Sequence, residues 1–223
     1  DVCSSDLYKW SCLNGNPRPH RIYNYYLSNR KSNFDQAIFT LHSTEQSNQG
    51  SVYMNPDDAV IDAEVIEFWN SVKHSLPLIT EFADEPIRVD ANCKLPANTD
   101  AYVHLVTETK IIPRVFVSEK TWKPIAAGQL FLIFGNPGTV NYLRTQGVDV
   151  FDDIIDHSYD LEPDWKIRLE LIHQQLDRLI TQNLKQLFIN THSRRQANRD
   201  KFFSGAFDQT YLHTIQQCIN MLN

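Results

Sequence analysis

Ser118, Glu119 and Lys120 stand between an apolar run that ends at Phe116 and Val117 and a short segment, 121–126, that leads into Leu130-Phe131-Leu132-Ile133-Phe134. The pattern reads as a strand, a short helix and a second strand covered on both faces, closed by the turn Gly135-Asn136-Pro137-Gly138. Unpaired N–H groups at a helix start favour an anion, and a lysine adds a mobile positive charge able to reach a phosphate. A carboxylate repels phosphate but pairs with two vicinal hydroxyls, as on a ribose. On this reading Lys120 takes a phosphate and Glu119 a pair of vicinal hydroxyls, with Ser118 beside them at the binding site. A purely structural reading stays open, with Ser118 as an N-cap and Glu119 and Lys120 as solvated first-turn residues. It accounts for the helix but not for Lys120, whose charge opposes the helix dipole.

A second strand, polar loop and helix precede this unit: 8–13, 14–19 and 20–29, with Ile22, Tyr23, Tyr26 and Leu27 facing inward. Arg18 lies in the loop and Arg21 at the helix start. A guanidinium fork beside free helix N–H groups pairs with two phosphate oxygens at once, which makes Arg21 a phosphate candidate. Its alternative is a surface arginine shielding Tyr25. His20 reads as a capping or packing residue, and His104, inside the strand 101–106, as a packed histidine. Glu108 falls just beyond the carboxyl end of that strand, where open α/β sheets form their cleft. It either hydrogen-bonds a donor sugar or its neighbouring loop, or pairs with Lys110 or Arg114. The acidic run 149–160 lacks a compact ligand spacing, so no metal site is expected, although Asp152 or Asp153 could border the cleft. No side chain presents itself as a catalytic base.

The elements that must position these groups predict an α/β fold: a Rossmann-like, doubly wound, mostly parallel sheet flanked by helices, with a C-terminal helical extension. Residues 8–160 read as the Rossmann-like binding domain and 161–223 as packing helices, in which Trp165, Leu169, Ile172, Leu176 and Leu179 recur every three or four positions. A further strand is expected around 37–41, a helix over 57–73 ended by Pro77, an irregular connection over 81–99 and a last helix over 207–222. Arg194, Arg195, Arg199 and Lys201 read as a solvated junction. The opening residues 1–7 read as a non-native leader of adapter-derived sequence.

The chain has 223 residues, 42% of them apolar, enough for one large core. Its 21 basic and 27 acidic residues leave a formal charge of -6, which argues against general nucleic-acid binding. Cys3, Cys12, Cys93 and Cys218 show no ligand spacing and read as reduced thiols in a cytoplasmic setting. The longest apolar run, near 130–134, is too short to span a bilayer, so no transmembrane segment is expected.

Glu108-Thr109-Lys110, followed by Phe116-Val117-Ser118-Glu119-Lys120 and the next helix and strand, resembles the donor-binding C-terminal half of two-domain, GT-B-type glycosyltransferases, closest to the α-1,3-fucosyltransferase family. In that family a Glu-Asn-Ser segment precedes a Tyr-x-Thr-Glu-Lys motif. The resemblance implies that Glu119 meets ribose hydroxyls, Lys120 the diphosphate and Phe116 the donor neighbourhood. It also likens 14–27 to the family segment whose arginine binds the donor phosphate, favouring Arg21 over Arg18. It further implies a nucleotide-diphosphate sugar, such as a GDP-sugar, as donor substrate with no tightly bound cofactor, a carbohydrate or glycan acceptor, and inversion in which cationic side chains replace magnesium. Thr109-Lys110 in place of Asn-Ser, Phe116 in place of tyrosine, and Pro124 inside the helix are departures. Pro124 predicts a helix that starts late or bends near Ala126. The acceptor domain with the catalytic carboxylate has no counterpart here, so the chain reads as a fragment incomplete for catalysis. A non-catalytic nucleotide-binding module, or an interaction protein using Tyr23, Tyr25 and Arg194-Arg195, are the alternatives.

Overall fold

The structure is a computed structural model that describes residues 7–42, 62–76, 78 and 100–205. The expectations for 1–6, 43–61, 81–99 and 207–222, and for Cys3, Cys93 and Cys218, lie outside the described residues.

Four strands form one parallel sheet: β1 (Tyr8–Leu13), β2 (Ala37–Thr40), β3 (Ala101–Thr107) and β4 (Leu130–Phe134), in the order β2-β1-β3-β4. Every residue of β4 is buried, which explains its unbroken apolar run. In β1 and β3 the two faces differ. Trp10 and Cys12 point one way, whereas Ser11 points the other and shares a hydrogen bond of 2.7 Å with Nδ1 of its register partner His104. Burial, and secondarily Lys123, lowers the His104 pKa to about 3, so the imidazole is neutral.

Helix α1 (Pro19–Asn29) packs against both α2 (Ala63–Val72) and α5 (Trp165–Ile180), with α5 also on β4. Tyr25 stacks on Phe39 and meets Phe68 edge-on, joining α1, β2 and α2 in an aromatic cluster. Helix α3 (Glu119–Ala126) packs on β3, β4 and α7 (His192–Phe203), while α6 (Leu184–Asn190) contacts β3 and α7. The fold is therefore α/β and Rossmann-like. After β4, Gly138 adopts a left-handed φ of 83° and opens α4 (Thr139–Thr145), whose Val140 and Asn141 N–H groups donate to the Asp160 carboxylate.

Three local expectations need correction. Phe116 and Val117 do not end a strand: the strand of this unit is β3, and 108–118 is a pinned loop. Pro113 interrupts any ladder there, and Asn136 holds the loop instead, accepting from the Ile112 N–H at 2.8 Å and donating to the Lys110 carbonyl at 3.1 Å. Helix α3 starts at Glu119 and continues through Pro124. Its Ser118 cap and the buried Trp122 and Ile125 outweigh the one lost hydrogen bond. Finally, Arg194 and Arg195 belong to no junction. Arg194 clamps Asp149 and Asp153, and Arg195, buried over the Phe188 ring, donates to the carbonyls of Gly128 and Phe188. With Tyr23 and Tyr25 also buried, no aromatic and basic surface forms from these four residues.

Candidate functional site

In the parallel sheet ordered β2-β1-β3-β4 the order in which successive strands are added reverses between β1 and β3, the topological switch point. The carboxyl ends of two strands that feed helices in opposite directions leave a crevice between them, the usual ligand position in open α/β folds. Six of the sequence-derived candidates lie on the segments that leave this edge. Arg18 and Arg21 follow β1, Glu108 follows β3, and Ser118, Glu119 and Lys120 open α3.

Pro19 suits the first turn of α1 because its missing N–H has no intrahelical partner to lose. Arg18 is the N-cap, half-buried, and its carbonyl accepts from the backbone N–H groups of Arg21 and Ile22 at 2.9 Å. Arg21 is only 3% exposed. One guanidinium nitrogen, Nη1, donates to the Asn16 carbonyl at 3.0 Å, while Nε and Nη2 have no partner. These two form one edge of the fork, the edge that pairs with two oxygens of a carboxylate or phosphate. Burial lowers the Arg21 pKa to about 10, assisted by Arg18 and opposed by Cys12, Glu108 and Glu119. The charges acting on Arg21 thus come from both strand ends at the switch point.

The opposite side is built by Ser118, whose Oγ accepts from the Lys120 N–H at 3.3 Å and donates to Glu108 at 2.6 Å. Glu119 and Lys120 are half-buried and ion-paired with each other. Burial pushes the Glu119 carboxyl up, but the charge and hydrogen bond of Lys120 outweigh it and hold the group below its ordinary value. Glu108 is 0% exposed. Its carboxylate accepts from Ser118 and Thr121 of the α3 start and from the Thr109 N–H, while Lys110 lies 5.8 Å over the Phe116 ring. Asp152 and Asp153, read as possible cleft residues, instead pair with Arg144 and Arg194.

Several contributors escape a reading of motifs. Asn14, the first residue after β1, accepts from Thr107 at the end of β3, and donates to Cys12 Sγ at 3.3 Å, so one amide ties the two central strand ends together. Cys12 also accepts from Asn24, which bonds His173 at 2.8 Å; burial raises the thiol to about 11 despite these bonds. His20 puts Nε2 2.9 Å from the Glu108 carbonyl and its ring beside Phe134. Burial, then Arg21, keeps His20 well below its ordinary pKa, so the imidazole is neutral. Arg168 of α5, 1% exposed, donates through Nε to the Gly135 carbonyl at 3.0 Å and lies over the Phe134 ring. Its signal was present, since a charged residue falls on the stripe of Trp165, Leu169 and Ile172.

Among the described residues, no group of three or more His, Cys, Asp or Glu side chains is placed to hold a metal ion, and no helix is long and apolar enough to cross a membrane. In comparisons with known proteins, no family model, curated protein or solved structure matches the chain.

Proposed function

We propose that this chain is the donor-binding half of a nucleotide-sugar-dependent glycosyltransferase, of the α-1,3-fucosyltransferase-like type that its Ser118-Glu119-Lys120 motif resembles. One observation carries the reading: a buried arginine at the topological switch point keeps the Nε/Nη2 edge of its fork unpaired, on a fold whose other strand end presents Glu119 and Lys120. A buried cation with two unpaired donors is costly unless a ligand completes it. A diphosphate supplies the missing acceptors, and its negative charge suits Arg21, Lys120 and Arg18.

In transfer of a sugar from a nucleoside diphosphate, positive charge develops at the anomeric carbon while negative charge grows on the departing diphosphate. Arg21 and Lys120 stabilise that growing charge, and because Arg21 is already buried and oriented, little reorganisation is needed. Glu119 accepts from the ribose hydroxyls once Lys120 turns to phosphate. The acceptor hydroxyl must lose its proton to a base on the acceptor side.

The test is calorimetric titration with inorganic pyrophosphate, GDP, UDP and GDP-fucose. Binding of a nucleoside diphosphate by the wild type, weakened by at least about tenfold in Lys120→Ala, is the expected result. A folded protein that binds none of the four would overturn the proposal.

A further inference from the structure

We infer that Glu108 is the positioning residue that holds both halves of the anion site in one register, acting through Lys120 and Arg21 without touching the ligand. The inference rests on the donor-site reading above. Glu108 Oε1 accepts from the Ser118 N–H at 2.9 Å and from Thr121 Oγ1 at 2.6 Å. Oε2 accepts from Ser118 Oγ at 2.6 Å and from the Thr109 N–H at 3.1 Å. A carboxylate offers about four lone-pair sites, and here the protein's own donors engage them. The side chain is therefore committed to the start of α3, whose next residues are Glu119 and Lys120.

The backbone of the same residue serves the other half. Its N–H donates to the Phe134 carbonyl at 2.9 Å, extending the β3–β4 ladder by one step. Its carbonyl lies 2.9 Å from His20 Nε2. A carbonyl only accepts, so Nε2 carries the proton of this neutral imidazole and the histidine serves as a tether. His20 immediately precedes Arg21 in the first turn of α1. One residue thus fixes the helix that carries Arg21 by its main chain and the helix that carries Lys120 by its side chain.

Glutamine is the informative substitution because it keeps the size and removes two acceptor positions. The hydroxyls of Ser118 and Thr121 can rotate to suit an amide, but the N–H groups of Thr109 and Ser118 cannot, so either amide orientation leaves a main-chain donor facing a donor. With inorganic pyrophosphate and GDP as probes, Glu108→Gln is expected to weaken binding about tenfold, and Thr121→Val, which removes one donor to the same carboxylate, about threefold. In a Lys120→Ala background the Glu108→Gln loss should shrink to less than about twofold, because there is no ammonium left to misplace.

Wild-type affinity in folded Glu108→Gln would overturn the inference, and so would an undiminished loss in the Lys120→Ala background, which would mark Glu108 as a direct ligand contact. If Glu108→Gln does not fold, Thr121→Val decides: unchanged affinity for both probes overturns the inference. In each of these cases the donor-site reading survives if wild type binds, whereas wild-type protein that binds neither probe removes both.

Discussion

Replacing Arg21 by methionine should make the unliganded protein no less stable while abolishing its response to nucleotide. Burial, reinforced by Arg18, lowers the guanidinium pKa to about 10, a fall that represents a cost of about 3 kcal/mol to the folded state at neutral pH. The compensation visible in the structure is one hydrogen bond, to the carbonyl of Asn16, an exposed residue that water can reach once the arginine is gone. Methionine matches the length of the arginine stem, fills the space with apolar atoms and leaves no charge without a partner. The net expectation is a change between zero and about 2 kcal/mol in favour of the variant, equivalent to a rise of up to about 6 °C in Tm for a domain of this size. Ligand should act in the opposite sense. A nucleoside diphosphate at a hundred times its Kd stabilises wild type by about 2.7 kcal/mol, whereas a variant lacking the bidentate contact should show almost no shift. Thermal unfolding of both proteins with and without GDP or UDP provides both comparisons. A folded Arg21→Met protein less stable than wild type by more than about 1 kcal/mol would identify Arg21 as structural. A persisting nucleotide shift would show that its unpaired edge does not face the ligand.

Two further outcomes follow from the charges at and behind the site. Glu119→Gln releases Lys120 from its ion pair and removes the ribose acceptor, so inorganic pyrophosphate should bind about threefold tighter while the advantage of GDP over pyrophosphate falls about tenfold. Parallel weakening of the two probes in the same titration would contradict these roles. Burial keeps His104 and His173 neutral, each with a pKa lowered to about 3, and lowers that of His20 as well. Below about pH 6.5 the unfolded chain therefore binds protons that the folded chain does not, and stability present in full above that value declines as pH falls, by about 1.4 kcal/mol per pH unit for each histidine. Urea unfolding midpoints at pH 7, 6 and 5 should decrease in that order, and His104→Gln should flatten the decline; midpoints independent of pH over this range would refute it.

Strand and helix identity was largely legible because it depends on local periodicity. The unbroken run of β4, the alternation in β1 and the three-to-four spacing in α5 each specify an element whatever lies elsewhere in the chain. The false strand at Phe116 and Val117 shows the limit of that logic. Two apolar residues before a helix resemble a strand end, but a strand needs a neighbour to receive its N–H and C=O groups, and here Asn136 and Glu108 occupy that place. Likewise Arg194 and Arg195 resemble a solvated basic cluster until Asp149, Asp153 and Gly128, partners 41 to 67 positions away, are known.

By itself the sequence determined the residue types of the site and their position at strand-to-helix junctions, since Ser118, Glu119, Lys120, Arg18 and Arg21 each follow an apolar run and precede a helical one. Tertiary structure alone decided what each one is free to do. Glu108 and Glu119 are both carboxylates beside the same junction, yet Glu108 is 0% exposed and engaged by four donors, while Glu119 is half-buried and ion-paired with Lys120. Arg21 and Arg195 are both buried arginines, but the fork of Arg195 reaches two carbonyls and a hydroxyl, and that of Arg21 keeps one edge unpaired. The physical reason is that a hydrogen-bonding group's availability depends on which other donors and acceptors surround it, and these are set only when the loop after β3 folds onto the start of α3 and α7 packs beside Gly128.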